Sequence, residues 1–350
     1  MLRILRTRLG LTVIFVLAGL LAGPRMADAC AGLIGPNGAV NLERTSTLAA
    51  YHDGVEHYVT AFQFEGGGGQ FGALIPLPGV PSNVERGGAW TLQRLEQETQ
   101  PPQTAFLADR AAAAPASGAQ VLQQVRIDAL DLTVLKGGGP DVATWAEAHG
   151  FLLSPDAPEV LDFYARRSPI FLAAVFDADA AAARGQRIGD GTPVHLTIPT
   201  TNPWVPLRIL GLGKQPDELV DADIYLLTDH RPALLPGPHT GLALSYDQQA
   251  SPRLLDDLRS DDGMGWVPQS AWLTKLSIDS RAADLNYDLA VDTTSARSPS
   301  PVAAGLELPG ATIAPTHAGT PAFVWLLVGG AVLALAAFVL RGGWHAGSRR

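Results

Sequence analysis

The sequence TSTLAAYHDGVEHYVTAFQF, at residues 45–64, decides how the fold begins. Asp53-Gly54 at its centre is the strongest short signal for a two-residue β-hairpin loop. Residues of high strand propensity, such as Thr, Tyr, Val and Phe, fill both arms. The pattern therefore predicts antiparallel strands over 45–52 and 55–64.

The hairpin register brings two histidines together. His52 lies opposite Val55 and His57 lies opposite Ala50, so the two imidazoles share one face of the sheet as diagonal neighbours. Two imidazoles in this arrangement are candidate ligands for a divalent metal if one carboxylate is added. The alternative is a pair of half-buried histidines near a hairpin tip, because the spacing places no third ligand.

Further strand and helix patterns follow the hairpin along the chain. Short apolar runs bounded by Gly and Pro predict strands at 71–77, 121–128, 130–135, 170–176, 194–198, 206–212, 223–228, 272–278 and 285–291. Amphipathic spacing and capping residues predict short helices at 90–98, 142–149 and 154–167. The sequence therefore predicts a β-rich α+β fold of antiparallel sheets with two or three short helices.

Both ends of the chain carry membrane-targeting patterns. Arginines precede the apolar run 9–22, and Ala27-Asp28-Ala29 is an A-x-A cleavage site, so residues 1–29 read as a signal peptide. Residues 321–340 are uncharged and long enough to cross a bilayer as one C-terminal transmembrane helix. Because arginines follow this segment, we expect residues 341–350 to form a cytoplasmic tail.

The segment between the two ends divides by composition. Residues 30–292 predict a β-rich domain outside the cell, and residues 293–320 are a Pro/Ala/Ser/Thr/Gly-rich stretch typical of a stalk. The expected product is a single-pass protein of the cell membrane with its N-terminal domain outside. The lipid bilayer is the partner of residues 321–340. The formal net charge of −9 argues against nucleic acid as a partner. The remaining candidate partner is a polymer or protein of the cell envelope.

Several short motifs occur in a fixed order along the chain. They read FGALIPLPGVP at 71–81, WAEAHGF at 145–151, IFLAAV at 170–175, YLLTDHR at 225–231 and LTKL at 273–276. This order resembles the bacterial exported family catalogued as domain of unknown function 2330. The resemblance implies an architecture and export, and no reaction. Members often carry two cysteines at the mature start; here Gly35 stands at the second position, which implies that Cys30 is a free thiol or is bonded to another chain.

Motifs of the common enzyme classes are missing from the sequence. It contains no G-x-S-x-G elbow, no H-E-x-x-H and no Walker loop. We therefore expect a non-enzymatic binding or envelope-associated module without a cofactor. The alternative is an exported hydrolytic or metal-dependent enzyme that uses His and Asp side chains. For that enzyme, Asp229 and His230 at the end of a predicted strand are the candidate acid–base pair, although a charge-satisfied turn explains them equally.

A glycine-flanked tryptophan is the candidate for ligand binding. Trp266 lies in the sequence GMGWVP, directly after Asp261 and Asp262 in an acidic stretch that we expect to be a solvated loop. An exposed indole stacks on a sugar ring, and carboxylates accept hydrogen bonds from sugar hydroxyls. The alternative is an aromatic side chain that covers the edge of the sheet.

Overall fold

The structure is a computed structural model that describes residues 32–34, 45–63, 71–99, 119–185, 191–294 and 296–307. Cys30, the predicted signal peptide 1–29 and the predicted membrane segment 321–340 lie outside the described residues. Within the described ranges, no helix combines the length and the hydrophobicity of a membrane span.

The described residues form strands and short helices whose bounds are as follows. The strands are β1 (Gly32–Ile34), β2 (Thr45–His52), β3 (Val55–Gln63), β4 (Phe71–Pro76), β5 (Asn83–Arg86), β6 (Gln120–Ile127), β7 (Leu130–Lys136), β8 (Ile170–Phe176), β9 (Gly191–Pro199), β10 (Trp204–Val205), β11 (Leu219–Thr228), β12 (Ala233–Leu235), β13 (Leu242–Gln249), β14 (Trp272–Arg281) and β15 (Leu289–Asp292). The α-helices are α1 (Thr91–Thr99), α2 (Gly139–Ala148), α3 (Ala157–Ala165), α4 (Ala178–Ala183) and α5 (Pro252–Ser260), and 3₁₀ turns span Arg208–Gly211 and Ala282–Asp284.

The strands form three sheets. A seven-stranded sheet has the order β13-β14-β11-β2-β3-β9-β5, and a five-stranded sheet has the order β1-β4-β8-β7-β6. A small sheet, β10-β15-β12, adds three short strands. Among the described strands, β2 and β11 pair in parallel and the other pairs are antiparallel. The β-rich α+β fold class is therefore confirmed, although the seven-stranded sheet is mixed and the described residues form five short α-helices where the sequence predicts two or three. The hairpin register that places His57 opposite Ala50 is confirmed as well.

The two large sheets are each buried on both faces. Apolar side chains of both sheets meet in one core cluster between them. Helices α2 and α3 cover the outer face of the five-stranded sheet, where Trp145 and Leu161 are buried. Helices α1 and α5 cover the outer face of the seven-stranded sheet, where Leu95 and Leu258 are buried. The layers therefore run helix, sheet, sheet, helix, and the positions that face water lie mostly on the edge strands β6 and β13.

The prediction of a strand at 206–212 is wrong, because a buried carboxylate takes up the backbone N–H groups there. The backbone N–H groups of Leu207 and Arg208 donate to Oδ1 of Asp288, over 2.7 Å and 3.1 Å, and so do not pair with a neighbouring strand. Residues Arg208–Gly211 form a 3₁₀ turn instead. Asp288 is fully buried, and the Arg167 guanidinium and the Tyr164 hydroxyl also donate to it. A buried carboxylate surrounded by donors therefore sets the local backbone.

The acidic stretch that follows residue 250 also differs from the expectation of a solvated loop. Its first part is helix α5, which begins after Ser251, whose side chain accepts a hydrogen bond from the backbone N–H of Leu254. Leu254, Leu255 and Leu258 are buried on one side of this helix. The apolar spacing of these leucines outweighs the acidic composition, because burial of three such side chains stabilises the fold by several kcal/mol.

The folded body extends past residue 292, into the segment 293–320 that the composition assigns to a stalk. Ala303 and Ala304 are buried against α3 and its surroundings. The Arg167 guanidinium donates to the carbonyl oxygen of Ala303 over 2.6 Å, and the carbonyl oxygen of Ala304 accepts from the N–H of Asp288 over 2.9 Å. Residues up to 307 therefore belong to the packed domain, which composition alone does not reveal.

Candidate functional site

Three ionisable side chains project from the helix-covered face of the seven-stranded sheet. They come from three adjacent strands: His57 from β3, His195 from β9 and Glu85 from β5. Val59 lies opposite His195, and His57 is two residues from Val59, so both imidazoles lie on one face. Glu85 lies directly opposite His195 on the other side. The register therefore aligns the three groups across the sheet.

The three groups form a hydrogen-bonded relay. Nδ1 of His195 lies 3.1 Å from Oε1 of Glu85, and Nδ1 of His57 lies 2.9 Å from Nε2 of His195. A carboxylate accepts only, so Nδ1 of His195 donates to Glu85 and its Nε2 is left to accept. Nδ1 of His57 therefore donates, and Nε2 of His57 carries the free lone pair of the relay.

Burial keeps both imidazoles uncharged. It lowers the pKa of His57 to about 4, and the neighbouring His195 and His52 lower it further while Glu85 opposes the change. Burial alone lowers the pKa of His195 to about 4. At neutral pH both rings are therefore neutral, and the relay presents a base rather than a cation.

Trp266 covers this relay. Its indole stacks on the His57 ring with centroids 4.0 Å apart and planes 3° from parallel. It also lies 5.2 Å from the ring centroid of His195. Stacking of this kind stabilises both rings beyond their buried area. The arrangement brings together His57, a candidate metal ligand, and Trp266, a candidate for ligand binding, which the sequence treats separately.

The loop that carries Trp266 is fastened to α1 through Asp261. The carboxylate of Asp261 accepts hydrogen bonds from the backbone N–H groups of Ala89 and Trp90 and from the Thr91 hydroxyl, over 2.8–3.1 Å. These donors lie at the start of α1, where a carboxylate satisfies unpaired N–H groups. Asp261 is buried and engaged by the protein, whereas Asp262 is exposed beside the Trp266 loop.

Gly263 sets the approach of this loop to β5. Its φ of +74° lies in the left-handed region, which a residue with a side chain rarely adopts. A Cβ at this position would lie 2.7 Å from the carbonyl oxygen of Arg86, the neighbour of Glu85. Glycine is therefore required for the loop to lie against β5 and to hold Trp266 above the relay.

A second histidine–carboxylate pair lies near the tip of the hairpin. Nδ1 of His52 lies 2.5 Å from Oδ1 of Asp229, and Nε2 of His52 lies 3.3 Å from Oδ2 of Asp53. The side chains of His52 and Asp229 are 40% and 36% exposed, so solvent reaches the pair. His230 contributes its carbonyl oxygen to the Thr228 hydroxyl and exposes its side chain, so Asp229 is paired with His52.

Sequence reasoning misses the two residues that complete the relay. His195 and Glu85 lie on β9 and β5, which are far from β3 in the chain and meet it only through sheet pairing. An alternating pattern places His195 on a strand, and no spacing links it to His57. Within the described ranges, no group of three or more His, Cys, Asp or Glu side chains is arranged to hold a metal ion.

Glu56 is ionisable and lies on the opposite face of β3. It is 1% exposed, and no described residue makes a well-formed hydrogen bond to either carboxyl oxygen. Burial raises its pKa to about 8, and the backbone of Trp204 offsets part of that rise. The carboxyl is therefore protonated at neutral pH, as the apolar core between the sheets requires.

A family model described as an uncharacterized protein conserved in bacteria (DUF2330) matches residues 24–235. The chain belongs to this family. The matched range contains both histidine–carboxylate groups, whereas Trp266 lies beyond it. The family is the one that the motifs resemble, and its description assigns no activity. No curated protein matches this DUF2330 chain.

Solved structures with a similar course of the chain include baculovirus P35. Mutated P35 after caspase cleavage has a TM-score of 0.38 and 8% sequence identity, over 73% of this chain and 99% of that chain. The caspase-8/P35 complex gives a TM-score of 0.35 and 8% identity, over 71% of this chain and 95% of that chain. Similarity at this level says nothing about what the DUF2330 chain binds.

Replacing Gly263 tests how the tryptophan is held. Gly263→Ala should move the loop away from β5, because its Cβ would clash with the Arg86 carbonyl oxygen. We expect the fluorescence of Trp266 to change as the indole leaves His57. Gly265→Ala is the matched control, since nothing lies within 4 Å of its Cβ position. Equal spectra for both variants would show that Gly263 does not position the loop.

The imidazole relay predicts an acid limit to stability. A histidine whose folded pKa is lowered from 6.5 to about 4 leaves stability intact above pH 6.5 and reduces it as the pH falls towards 4. The loss is roughly 3 kcal/mol per imidazole at pH 4. Glu56 acts in the opposite sense, since its raised pKa of about 8 reduces stability as the pH rises from 4.5 through 8.

Urea unfolding of the wild type and of His195→Gln at several pH values separates the two effects. The free-energy difference between the two proteins should change by roughly 3 kcal/mol between pH 6.5 and pH 4. His230→Gln replaces an exposed imidazole and should keep the wild-type profile. A difference that stays constant with pH for His195→Gln would contradict the buried neutral relay.

Proposed function

We propose that this protein is an exported, single-pass membrane protein whose outer domain is a non-enzymatic binding module, with the Trp266 loop as its ligand-binding surface. The basic and apolar pattern of residues 1–29 and the uncharged segment 321–340 support the location. The packed domain supports a binding role because its polar side chains are arranged to hold an aromatic ring in place.

The parallel stack of Trp266 on His57 carries the proposal. Its centroid distance of 4.0 Å fixes the plane of the indole, and Asp261 fixes the loop from the other side. A ligand that binds to a ring already fixed in place loses less conformational entropy on binding. Trp266 is partly buried against the apolar cluster under α1 and α5, and its Nε1 is buried without a described hydrogen-bond partner. A ligand would therefore contact the part of the indole that stays exposed.

The rim of the indole favours a neutral, hydroxyl-rich ligand. Asp262 is exposed four residues before Trp266 in the same loop, and the Glu85 side chain, 44% exposed, lies at the end of the relay that Trp266 covers. Carboxylates accept hydrogen bonds from hydroxyls, and the C–H face of a sugar ring packs on an indole. The neutral imidazoles add no positive charge that would select anions. A saccharide of the cell envelope fits these features.

The Glu85–His195–His57 relay supports a second function, an exported hydrolase. Nε2 of His57 holds a free lone pair. The hydrogen bonds from Glu85 through His195 fix the orientation of the His57 ring, as is typical of a general base. No described hydroxyl or thiol makes a hydrogen bond to this nitrogen, so a hydrolase of this kind would use His57 to activate water. Loss of a measured hydrolytic activity in His57→Gln would favour this function.

Binding to isolated envelope polysaccharides tests the proposed surface. The full-length protein in detergent should bind at least one of them, and Trp266→Ala should weaken that binding about tenfold, as loss of one aromatic contact predicts. Asp262→Asn should weaken it less. Asp256→Asn is the matched control, because Asp256 is exposed on α5 and pairs with Arg259. Unchanged binding in Trp266→Ala, or no binding by the wild type, would contradict the proposal.

A further inference from the structure

A row of polar side chains crosses three strands beside the relay that Trp266 covers. Thr197 on β9 lies directly opposite His57 on β3, and Asn83 on β5 lies directly opposite Thr197. Residues that lie directly opposite each other project from the same face of a sheet, with Cβ atoms about 5 Å apart. An imidazole, a hydroxyl and an amide therefore stand side by side in this row.

The row lies on the helix-covered face of the sheet, as the relay does. Val84, between Asn83 and Glu85 on β5, belongs to the core cluster between the sheets, and so does Ile198, next to Thr197. Successive side chains of a strand point to opposite faces, so Asn83, Glu85 and Thr197 project away from that core. Asn83 and Glu85 are two residues apart, which separates their Cβ atoms by about 7 Å. The three polar groups therefore occupy one corner of the sheet.

Solvent reaches this corner of the sheet. Asn83 is exposed, Thr197 is half-buried, and the Glu85 side chain is 44% exposed. β5 is the outermost strand on this side of the seven-stranded sheet as far as the structure describes it. No described residue hydrogen-bonds to the Thr197 hydroxyl or to the Asn83 side-chain amide. Glu85 accepts from His195 through Oε1, which leaves Oε2 as a further acceptor.

The backbone that carries these groups is fixed in place. Ser82 precedes β5, and its backbone N–H and its hydroxyl both donate to the carbonyl oxygen of Thr197, over 2.8 Å and 3.1 Å. The hydrogen bond between Glu85 and His195 joins the same two strands one step further along. Groups that are held on paired strands lose little conformational entropy when a ligand binds to them.

We propose that Thr197, Asn83 and Glu85 form a diol-binding subsite, which takes two adjacent hydroxyls of a neutral sugar ring in a polysaccharide. The inference rests on the saccharide-binding function proposed for the Trp266 surface, and it names the residues that select the ligand there. The Glu85 carboxylate accepts a hydrogen bond from one hydroxyl. The Asn83 amide donates to one hydroxyl and accepts from its neighbour, and the Thr197 hydroxyl does either.

The charges around the diol-binding subsite favour neutral sugars over acidic ones. Glu85 contributes a carboxylate, and the imidazoles of His57 and His195 are uncharged at neutral pH. Arg86, the next residue on β5, projects from the opposite face and pairs with Asp128. A uronate therefore meets a like charge at the subsite. A site built to hydrogen-bond hydroxyl groups also rejects an analogue that lacks them.

Binding of defined polysaccharides to the full-length protein tests the subsite, in a detergent without a sugar headgroup. The probes are mannan and dextran, which are neutral and rich in adjacent hydroxyls, and the acidic polymer polygalacturonate. The wild type should bind at least one neutral polymer and should not bind polygalacturonate. Oxidation of the bound polymer with periodate, followed by reduction, opens its rings between adjacent hydroxyls and should weaken binding about tenfold.

Two substitutions remove single polar groups from the subsite. Thr197→Val keeps the shape of the side chain, and Asn83→Ala removes the amide from an exposed position. Each should weaken binding of the neutral polymer about fivefold, as loss of one hydrogen bond predicts. Asn286→Ala is the matched control, because Asn286 is an exposed asparagine next to the 3₁₀ turn Ala282–Asp284. Unchanged tryptophan fluorescence shows that the variants keep the stack of Trp266.

NMR of the wild type covers the case in which a variant fails to fold. Mannotriose or isomaltotriose, a fragment of the polymer that binds, should shift the side-chain amide signal of Asn83 and leave that of Asn286 in place. An unmoved Asn83 signal would overturn the subsite, as would wild-type affinity in both folded variants or equal binding of polygalacturonate. If Trp266→Ala alone loses binding, the Trp266 surface stands and the subsite is wrong. If the wild type binds none of the polymers, both proposals are wrong.

Discussion

The burial of the seven-stranded sheet on both faces is the constraint on which the rest of the structure depends. Charge cannot stay unpaired on such a sheet, because transfer of an ion from water into an apolar layer costs many kcal/mol. Asp223 and Lys275 meet the constraint as an ion pair of 3.0 Å, with side chains at most 5% exposed. Glu56 and His57, neighbours on β3, meet it by staying neutral.

The same constraint produces the candidate site. Glu56 faces the core between the sheets and keeps its proton, since burial raises its pKa to about 8. His57 faces the helices and stays unprotonated, since burial lowers its pKa to about 4. Its neutral ring then accepts the indole of Trp266 as a stacking partner and keeps a lone pair on Nε2. The chemistry of the site therefore follows from where β3 lies in the layers.

The local signals of the sequence predict local structure well and distant pairing poorly. Asp53-Gly54 predicts the hairpin and its register, because the loop and both strands are contiguous. The relay needs β9 and β5 beside β3, and nothing in the spacing of His57, His195 and Glu85 encodes that pairing. The sequence also fails to predict the C-terminal boundary of the domain. Ala303 and Ala304 are held by Arg167 and by the backbone of Asp288, and such contacts between distant parts of the chain leave no local signal.

The candidate site depends on a neutral His57 ring with its proton on Nδ1, and nitrogen NMR measures this protonation state most directly. In the full-length protein labelled with ¹⁵N-histidine, long-range ¹⁵N–¹H spectra recorded from pH 4 to pH 8 give the tautomer and the pKa of each ring. We predict that His57 and His195 both carry their proton on Nδ1 and stay mostly neutral down to about pH 5. A His57 that titrates near pH 6.5, or that carries its proton on Nε2, would contradict it.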